Sequence, residues 1–204
     1  MSKKIFIIWG WVEASNYKNF EEYILQEEFN PYQEKTKNWK DNLFQDLWEW
    51  YEVIKIPMPN KWFAEYRYWK IMFEKTFPYF WEKNIFIWHS LWATFLLKYL
   101  NENNLEKIFG IHLIAPAVFE TPNEKIWSFT FETNLEYFKK FENITNIYAS
   151  KDDDIVPFSQ WEYLKTILPK SNFEIFEDKG HFIFQEHFEE LVRNIKISFH
   201  LSLN

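Results

Sequence analysis

The stretch Asn84–Tyr99, NIFIWHSLWATFLLKY, decides how the rest of the chain is read. It opens on an apolar, strand-like run (Ile85, Phe86, Ile87) and closes on a helical one (Ala93, Phe95, Leu96, Leu97, Leu100). Ser90 sits where the chain must turn from one to the other. That is the layout of a nucleophile elbow, a sharp turn that lifts a serine hydroxyl clear of a sheet and aims a helix N-terminus at it. The elbow pattern is G-x-S-x-G, and here it reads Trp88-His89-Ser90-Leu91-Trp92. Both glycine positions hold tryptophan.

Working outward, Lys4–Trp9 is a continuous apolar run, as expected of a parallel strand buried on both faces. Tyr51–Ile56, Asn84–Trp88, Ile108–Ile114, Thr145–Ala149 and Asn172–Phe176 read as five further strands. Between them, helical spacing predicts helices over Ser15–Phe29, around Leu43–Leu47, over Lys61–Phe77, Leu135–Phe141 and Pro157–Leu168, and a last one over Phe184–Ile197. This alternation implies an α/β fold: a single-domain, three-layer α/β/α sandwich over residues 1–204, with a mostly parallel sheet of about six strands. Ligands in such sheets bind at the carboxyl ends of the strands. Ser90 follows the third strand, the run Asp152-Asp153-Asp154 the fifth, and His181 the sixth.

Bulk properties narrow the function. The 204 residues suffice for a proper core, the net charge is −7, and no basic stripe appears, which disfavours nucleic-acid binding. There is no cysteine, hence no disulfide, thiol nucleophile or zinc-thiolate site. The N-terminal apolar run Ile5–Trp9 is too short for a signal or membrane segment, so a soluble cytoplasmic protein without a membrane partner is expected. No His/carboxylate spacing resembles a metal site, and no cofactor is expected. Oligomeric state stays open.

Nucleophilic serine catalysis needs a serine on a strained turn, a histidine to take its proton and a carboxylate to orient that histidine. All three types occur at strand ends in the order Ser…Asp…His. Each has a plainer reading: Ser90 as a helix N-cap, the Asp run as a solvated turn before Pro157, His181 as a turn residue. The backbone amides of Leu91, at the start of the elbow helix, and of Trp11, after the first strand, are placed to bind an oxyanion. His89, His112, His187 and His200 have no partner pattern and read as structural or surface residues. The aromatic segment Phe119–Phe131 reads as core packing, with an apolar substrate site as the alternative.

The chain resembles the small single-domain serine hydrolases of the α/β-hydrolase superfamily related to retinoblastoma-binding protein 9. The resemblance spans nearly the whole length and is carried by IFIIWGW, MPNKWFAEYRYWKIMFEK, IFIWHSLWATFLLKYL, YASKDDDIVPFSQWEYLKTILP and FEDKGHF. In that family the phrase around the acid reads S-x-D-D-P-x-x-P, with the second aspartate in the triad. Laid over Ser150–Pro157 it selects Asp153, with Asp154 in place of the proline, while the nucleophile falls on Ser90 and the base on His181. The resemblance implies a minimal α/β-hydrolase fold and an esterase-like cleavage of a small-molecule acyl ester.

Departures from the family are systematic. Trp88 and Trp92 replace the elbow glycines, and Trp11 and Trp9 fall in or beside the glycine-rich loop after strand one. Trp48 and Trp50 stand where such chains read LGxGY, and Trp81 and Trp161 where a small residue is unsurprising; Trp69 lies on a helical stripe as a core aromatic. Overpacking costs roughly 1–3 kcal/mol per site and a forced glycine-only backbone about as much again. The chain has 3 glycines and 12 tryptophans, against a usual glycine content of about 7%. Glycine codons of the UGA type, read with a table that assigns them to tryptophan, would produce this pattern. The rivals are a catalytically silent binding protein on the same fold and a corrupted sequence.

Overall fold

The computed structural model describes residues 3–9, 21–22, 25–26, 37–47, 51–60, 63–121 and 125–200. Its centre is one six-stranded sheet: β1 (Lys3–Trp9), β2 (Tyr51–Pro57), β3 (Asn84–His89), β4 (Ile108–Ile114), β5 (Thr145–Ser150) and β6 (Asn172–Phe176), in the order β2-β1-β3-β4-β5-β6. Every neighbouring pair is parallel. The order reverses between β1 and β3, so the crevice expected of such sheets opens beside the carboxyl end of β3.

The strands divide their side chains between two cores with a period of two, as pleating requires. Phe6, Ile8, Phe86 and Trp88 point to one side, while Ile5, Ile7, Ile85 and Ile87 point to the other. The first side is covered by α2 (Tyr66–Glu74), α3 (Leu91–Glu102) and α4 (Ser159–Ile167), the second by α1 (Trp39–Leu47) and α5 (Glu189–His200). Helices on both faces make the three layers expected, and the runs Ile5–Ile8 of β1 and Ile85–Trp88 of β3 are wholly apolar because neither face meets water.

Some helix boundaries differ from the sequence reading. The helix expected over Lys61–Phe77 is α2, whose cap residue Glu65 is extended. It stops at Glu74 because Pro78 has no N–H to continue the ladder, and a 3₁₀ turn over Phe77–Tyr79 follows. Leu135–Phe141 is replaced by a 3₁₀ segment over Phe138–Ile144, entered through Leu135 at φ 51°. The last helix starts at Glu189 rather than Phe184. Backbone groups before it are engaged elsewhere: Trp39 N–H donates to the Gln185 carbonyl at 2.8 Å and Asn42 Nδ2 to the Glu186 carbonyl at 3.0 Å. Apart from helical residues 21–22 and 25–26, the helix expected over Ser15–Phe29 lies outside the described residues. So do Trp11, Trp48 and Trp50 and the side chains of Trp9 and His200. Among the described residues, no helix is long and apolar enough to cross a membrane.

The Phe119–Phe131 segment contributes packing. Phe129 is fully buried against Trp69, with ring centroids 4.6 Å apart, and Phe119 and Phe131 pack on the same core.

His112 lies in the second core, its Nδ1 2.9 Å from the Tyr148 hydroxyl, and burial lowers it to about 3. His89 is likewise buried and held well below the usual range, first by burial, then by Lys40 and His181. The unfolded chain protonates both near their ordinary value of about 6.5, whereas the fold keeps them neutral. Stability is therefore full above about pH 6.5 and falls on acidification at about 1.4 kcal/mol per pH unit for each imidazole. Denaturant unfolding at pH 7.5 and 5.5 measures this loss, and His112→Gln is expected to remove roughly half the share due to these two histidines.

Candidate active site

Ser90 occupies the turn between β3 and α3 with φ 59° and ψ −135°, a region that side chains with a Cβ avoid. The surroundings hold it there. Its N–H donates to the Ile114 carbonyl at 2.8 Å, which carries the β3–β4 pairing one residue further, and its carbonyl accepts from Ala93 and Thr94 at 2.8 and 3.2 Å, which starts α3. The side chain makes no cap hydrogen bond. Its Oγ lies 2.9 Å from His181 Nε2 instead, so the plain N-cap reading does not describe this serine.

His181 stands in the loop after β6 between two residues with left-handed backbones, Gly180 at φ 50° and Phe182 at φ 57°. Its Nδ1 is 2.8 and 3.1 Å from the two carboxylate oxygens of Asp153. An ionised carboxylate only accepts, so Nδ1 carries the proton of the neutral ring and Nε2 is left to accept from the Ser90 hydroxyl. His181 and Asp153 are both buried, while Ser90 is half-buried and reachable.

The three consecutive aspartates separate by what they touch. Asp153 Oδ1 also accepts the N–H groups of Ile155 and Val156 at 2.9 and 2.8 Å, which fixes the carboxylate in the loop after β5. Asp152 is exposed and accepts from the Ser150 hydroxyl and the Gly180 N–H, which hold its carboxyl below the ordinary value. It thus ties the histidine loop to the end of β5. Asp154 is exposed. The buried member of the run is the one that meets the histidine.

The amide of Leu91 is the first of α3, so no carbonyl within the helix accepts from it, and it faces the positive end of the helix dipole. The second amide expected for an oxyanion, that of Trp11, lies outside the described residues. Among the described residues, no group of three His, Cys, Asp or Glu side chains is placed to hold a metal ion.

The elbow tryptophans pack into the first core. Trp88 is buried on Phe95 and Phe73, and Trp92 lies face to face on Trp69 with centroids 3.6 Å apart and planes at 1°. Offset or edge-on contacts are the preferred ring geometries, and the Trp69–Trp92 sandwich is not one of them. Among the described residues, the buried indole N–H groups of Trp88 and Trp161 have no hydrogen-bond partner, where a partner is the rule. Trp127 has φ 37°, a backbone that favours glycine. Trp81 is exposed, with the Lys4 ammonium 4.8 Å from its ring centroid.

Sequence reading passed over Lys40. It lies on α1 beside Trp39, three residues before Leu43, so helical spacing puts it on the helix's apolar side. Its side chain is buried with Nζ 2.9 Å from His89 Nδ1, and His89 Nε2 is 2.7 Å from the His181 carbonyl oxygen. A lysine within an apolar stripe was the available signal.

The family model described as serine hydrolase matches residues 31–197. The search of curated proteins finds no match. Among solved structures, the chain is similar to the ydeN gene product of Bacillus subtilis, with 18% identity and TM-score 0.66, covering 98% of this chain and 100% of that one. It is similar to a putative YdeN-like hydrolase of Pectobacterium atrosepticum, with 16% identity, TM-score 0.64 and coverage of 98% and 92%. A meta-cleavage product hydrolase of Pseudomonas fluorescens aligns at 13% identity and TM-score 0.60, covering 99% and 92%. At these identities the likeness extends to the fold.

Proposed function

This chain belongs to the serine hydrolase family, and from that premise we propose that it is an esterase-like enzyme cleaving a small-molecule acyl ester through Ser90, His181 and Asp153. The observation that carries the reading is the Ser90 Oγ–His181 Nε2 contact of 2.9 Å, made by a serine whose backbone is held in a disfavoured region. In the first half-reaction Ser90 Oγ bonds to the ester carbonyl carbon while its proton passes to His181 Nε2. The carbonyl oxygen becomes an oxyanion at the Leu91 amide, with the amide of Trp11 as second donor. The C–O bond to the alcohol breaks, and the alcohol leaves with the proton from His181. Water then repeats the sequence on the acyl-enzyme, releasing the acid and restoring Ser90. Asp153 holds the imidazole in its tautomer and offsets the charge it gains. In this reading the protein is a cytoplasmic enzyme, of the kind related to retinoblastoma-binding protein 9.

The test is labelling with an alkyl fluorophosphonate followed by peptide mapping, together with hydrolysis of p-nitrophenyl acetate. Adduct at Ser90 and turnover are expected; an intact, folded protein that does neither sinks the reading. Asp153→Asn is expected to lower kcat by about 10⁴-fold, because the amide no longer selects the tautomer with Nε2 free.

A second part of this reading concerns the tryptophans. Trp88, Trp92, Trp161 and Trp81, with Trp9, Trp11, Trp48 and Trp50, are glycines in the natural protein, encoded by UGA. The unpartnered indoles of Trp88 and Trp161 and the Trp69–Trp92 sandwich support this, and the φ of 37° at Trp127 adds that position to the set. The other reading, a silent binding protein with genuine tryptophans, has in its favour that Trp88 and Trp92 are fully accommodated within the core. The codons and the intact mass of the protein from its own cells decide between the two.

A further inference from the structure

Lys40 is the most unusual buried charge among the described residues. It lies in the first turn of α1, where the helix dipole disfavours a cation, and it makes no ion pair among the described residues. A buried ammonium that makes no ion pair among the described residues is costly unless it is hydrogen-bonded. Its hydrogen-bond partner is His89 Nδ1, at 2.9 Å.

The direction of these bonds follows from the donors. An ammonium has no acceptor, so His89 Nδ1 must accept, and the ring proton therefore sits on Nε2. Nε2–H then donates to the His181 carbonyl at 2.7 Å. Burial lowers Lys40 to about 8 and holds His89 neutral, which suits His89 to one accepted and one donated bond. The same turn of α1 grips the loop beyond His181: Trp39 Nε1 donates to the Phe182 carbonyl at 2.8 Å and Trp39 N–H to the Gln185 carbonyl at 2.8 Å. His181 needs such support. It belongs to no strand or helix, and both its neighbours have positive φ, so the bond to its carbonyl adds to the hold that Asp153 has on the ring.

We propose that Lys40 and His89 are positioning residues: Lys40 fixes the tautomer of His89, and His89 clamps the His181 carbonyl so that the His181 imidazole points at Ser90. This rests on the reading of His181 as the base acting on Ser90. Neither residue touches the reacting atoms; His89 precedes Ser90 in the chain and its ring centroid lies 4.7 Å from that of His181, so the pair acts by positioning.

Three variants of the full chain test it. Lys40→Met keeps the shape and removes the charge, and burying methionine in its place is tolerated by the fold. Removing the ammonium releases the His89 tautomer. With p-nitrophenyl acetate, kcat is expected to fall about tenfold with KM little changed, because a misplaced base slows the chemical step rather than binding. Tm is expected to hold or rise. His89→Phe should lower kcat at least as much, and His89→Gln, whose amide can still donate to the carbonyl, should restore most of it. A second readout needs no turnover: the downfield proton resonance of His181 Nδ1–H in its bond to Asp153 should shift or broaden in Lys40→Met and His89→Phe. Wild-type kcat with an unchanged resonance in Lys40→Met, or His89→Gln no better than His89→Phe, overturns the proposal. Should the wild type neither hydrolyse the ester nor take the fluorophosphonate, the proposed activity fails, and the resonance alone then decides for or against the clamp.

Discussion

Replacing Ser90 by alanine abolishes fluorophosphonate labelling and lowers ester hydrolysis by about 10⁴-fold or more, leaving what binding and oxyanion stabilisation supply without a nucleophile. The fold is expected to survive, because among the described residues Ser90 Oγ bonds to His181 and not to the backbone of α3. Glycine in the same place sharpens the prediction. Ser90 is held at φ 59° and ψ −135°, where a Cβ costs of order 1–3 kcal/mol. Ser90→Gly removes that cost and is expected to be inactive yet more stable than the wild type by about 1–2 kcal/mol in denaturant unfolding. Ser90→Ala, which keeps the Cβ, should lie near the wild type. A Ser90→Gly protein less stable than Ser90→Ala would show that the turn is not strained, and the case for a nucleophile elbow would lose its backbone support.

Glycine at positions 88 and 92 is expected to give the more stable protein, and the sign of the effect is the test. If the tryptophans are native, Trp88→Gly and Trp92→Gly each empty a large buried site, and truncation of a buried aromatic costs about 3–5 kcal/mol. If glycine is native, inserting tryptophan overpacks the elbow at roughly 1–3 kcal/mol per site, with an unpartnered indole N–H at position 88 adding about 1–3 kcal/mol. The two cases therefore differ by several kcal/mol in opposite directions. The comparison requires both forms, one made with UGG at these codons and one with a glycine codon, unfolded side by side in urea. A sharper, more stable transition for the glycine form, together with UGA in the gene, establishes a Gly-His-Ser-Leu-Gly elbow. A collapse of the glycine form shows that the aromatic packing of Trp88 on Phe95 and Phe73 belongs to the protein.

Local pattern reached some features and not others. The apolar runs Ile5–Ile8 and Ile85–Ile87 could be read as strands buried on both faces, and they lie at the middle of the sheet. The helical stripe through Trp69 and Phe73 likewise packs as read. Boundaries were less legible, because they were set by partners remote in sequence. The helix read from Phe184 begins at Glu189, since the backbone of Gln185 and Glu186 is bonded to α1. The choice of Asp153 among three adjacent aspartates came from family resemblance. In the fold it is the one whose carboxylate is buried beside His181 and fixed by the amides of Ile155 and Val156.

By itself the sequence determined the order of the six strands and of α1 to α5, the parallel three-layer fold and the placing of Ser90, the aspartate run and His181 at strand ends. These follow from periodicity and from the handedness of crossovers, which act within tens of residues. Only the tertiary structure decided that Lys40 and His89 meet, that His89 reaches the His181 carbonyl, and that the Ser90 hydroxyl turns to His181 instead of capping its helix. Each of these contacts joins residues from different parts of the chain, separated by 49, 92 and 91 positions. Propensity and spacing do not act over such separations. Hydrogen-bond direction and burial do, once the sheet has brought the strand ends together.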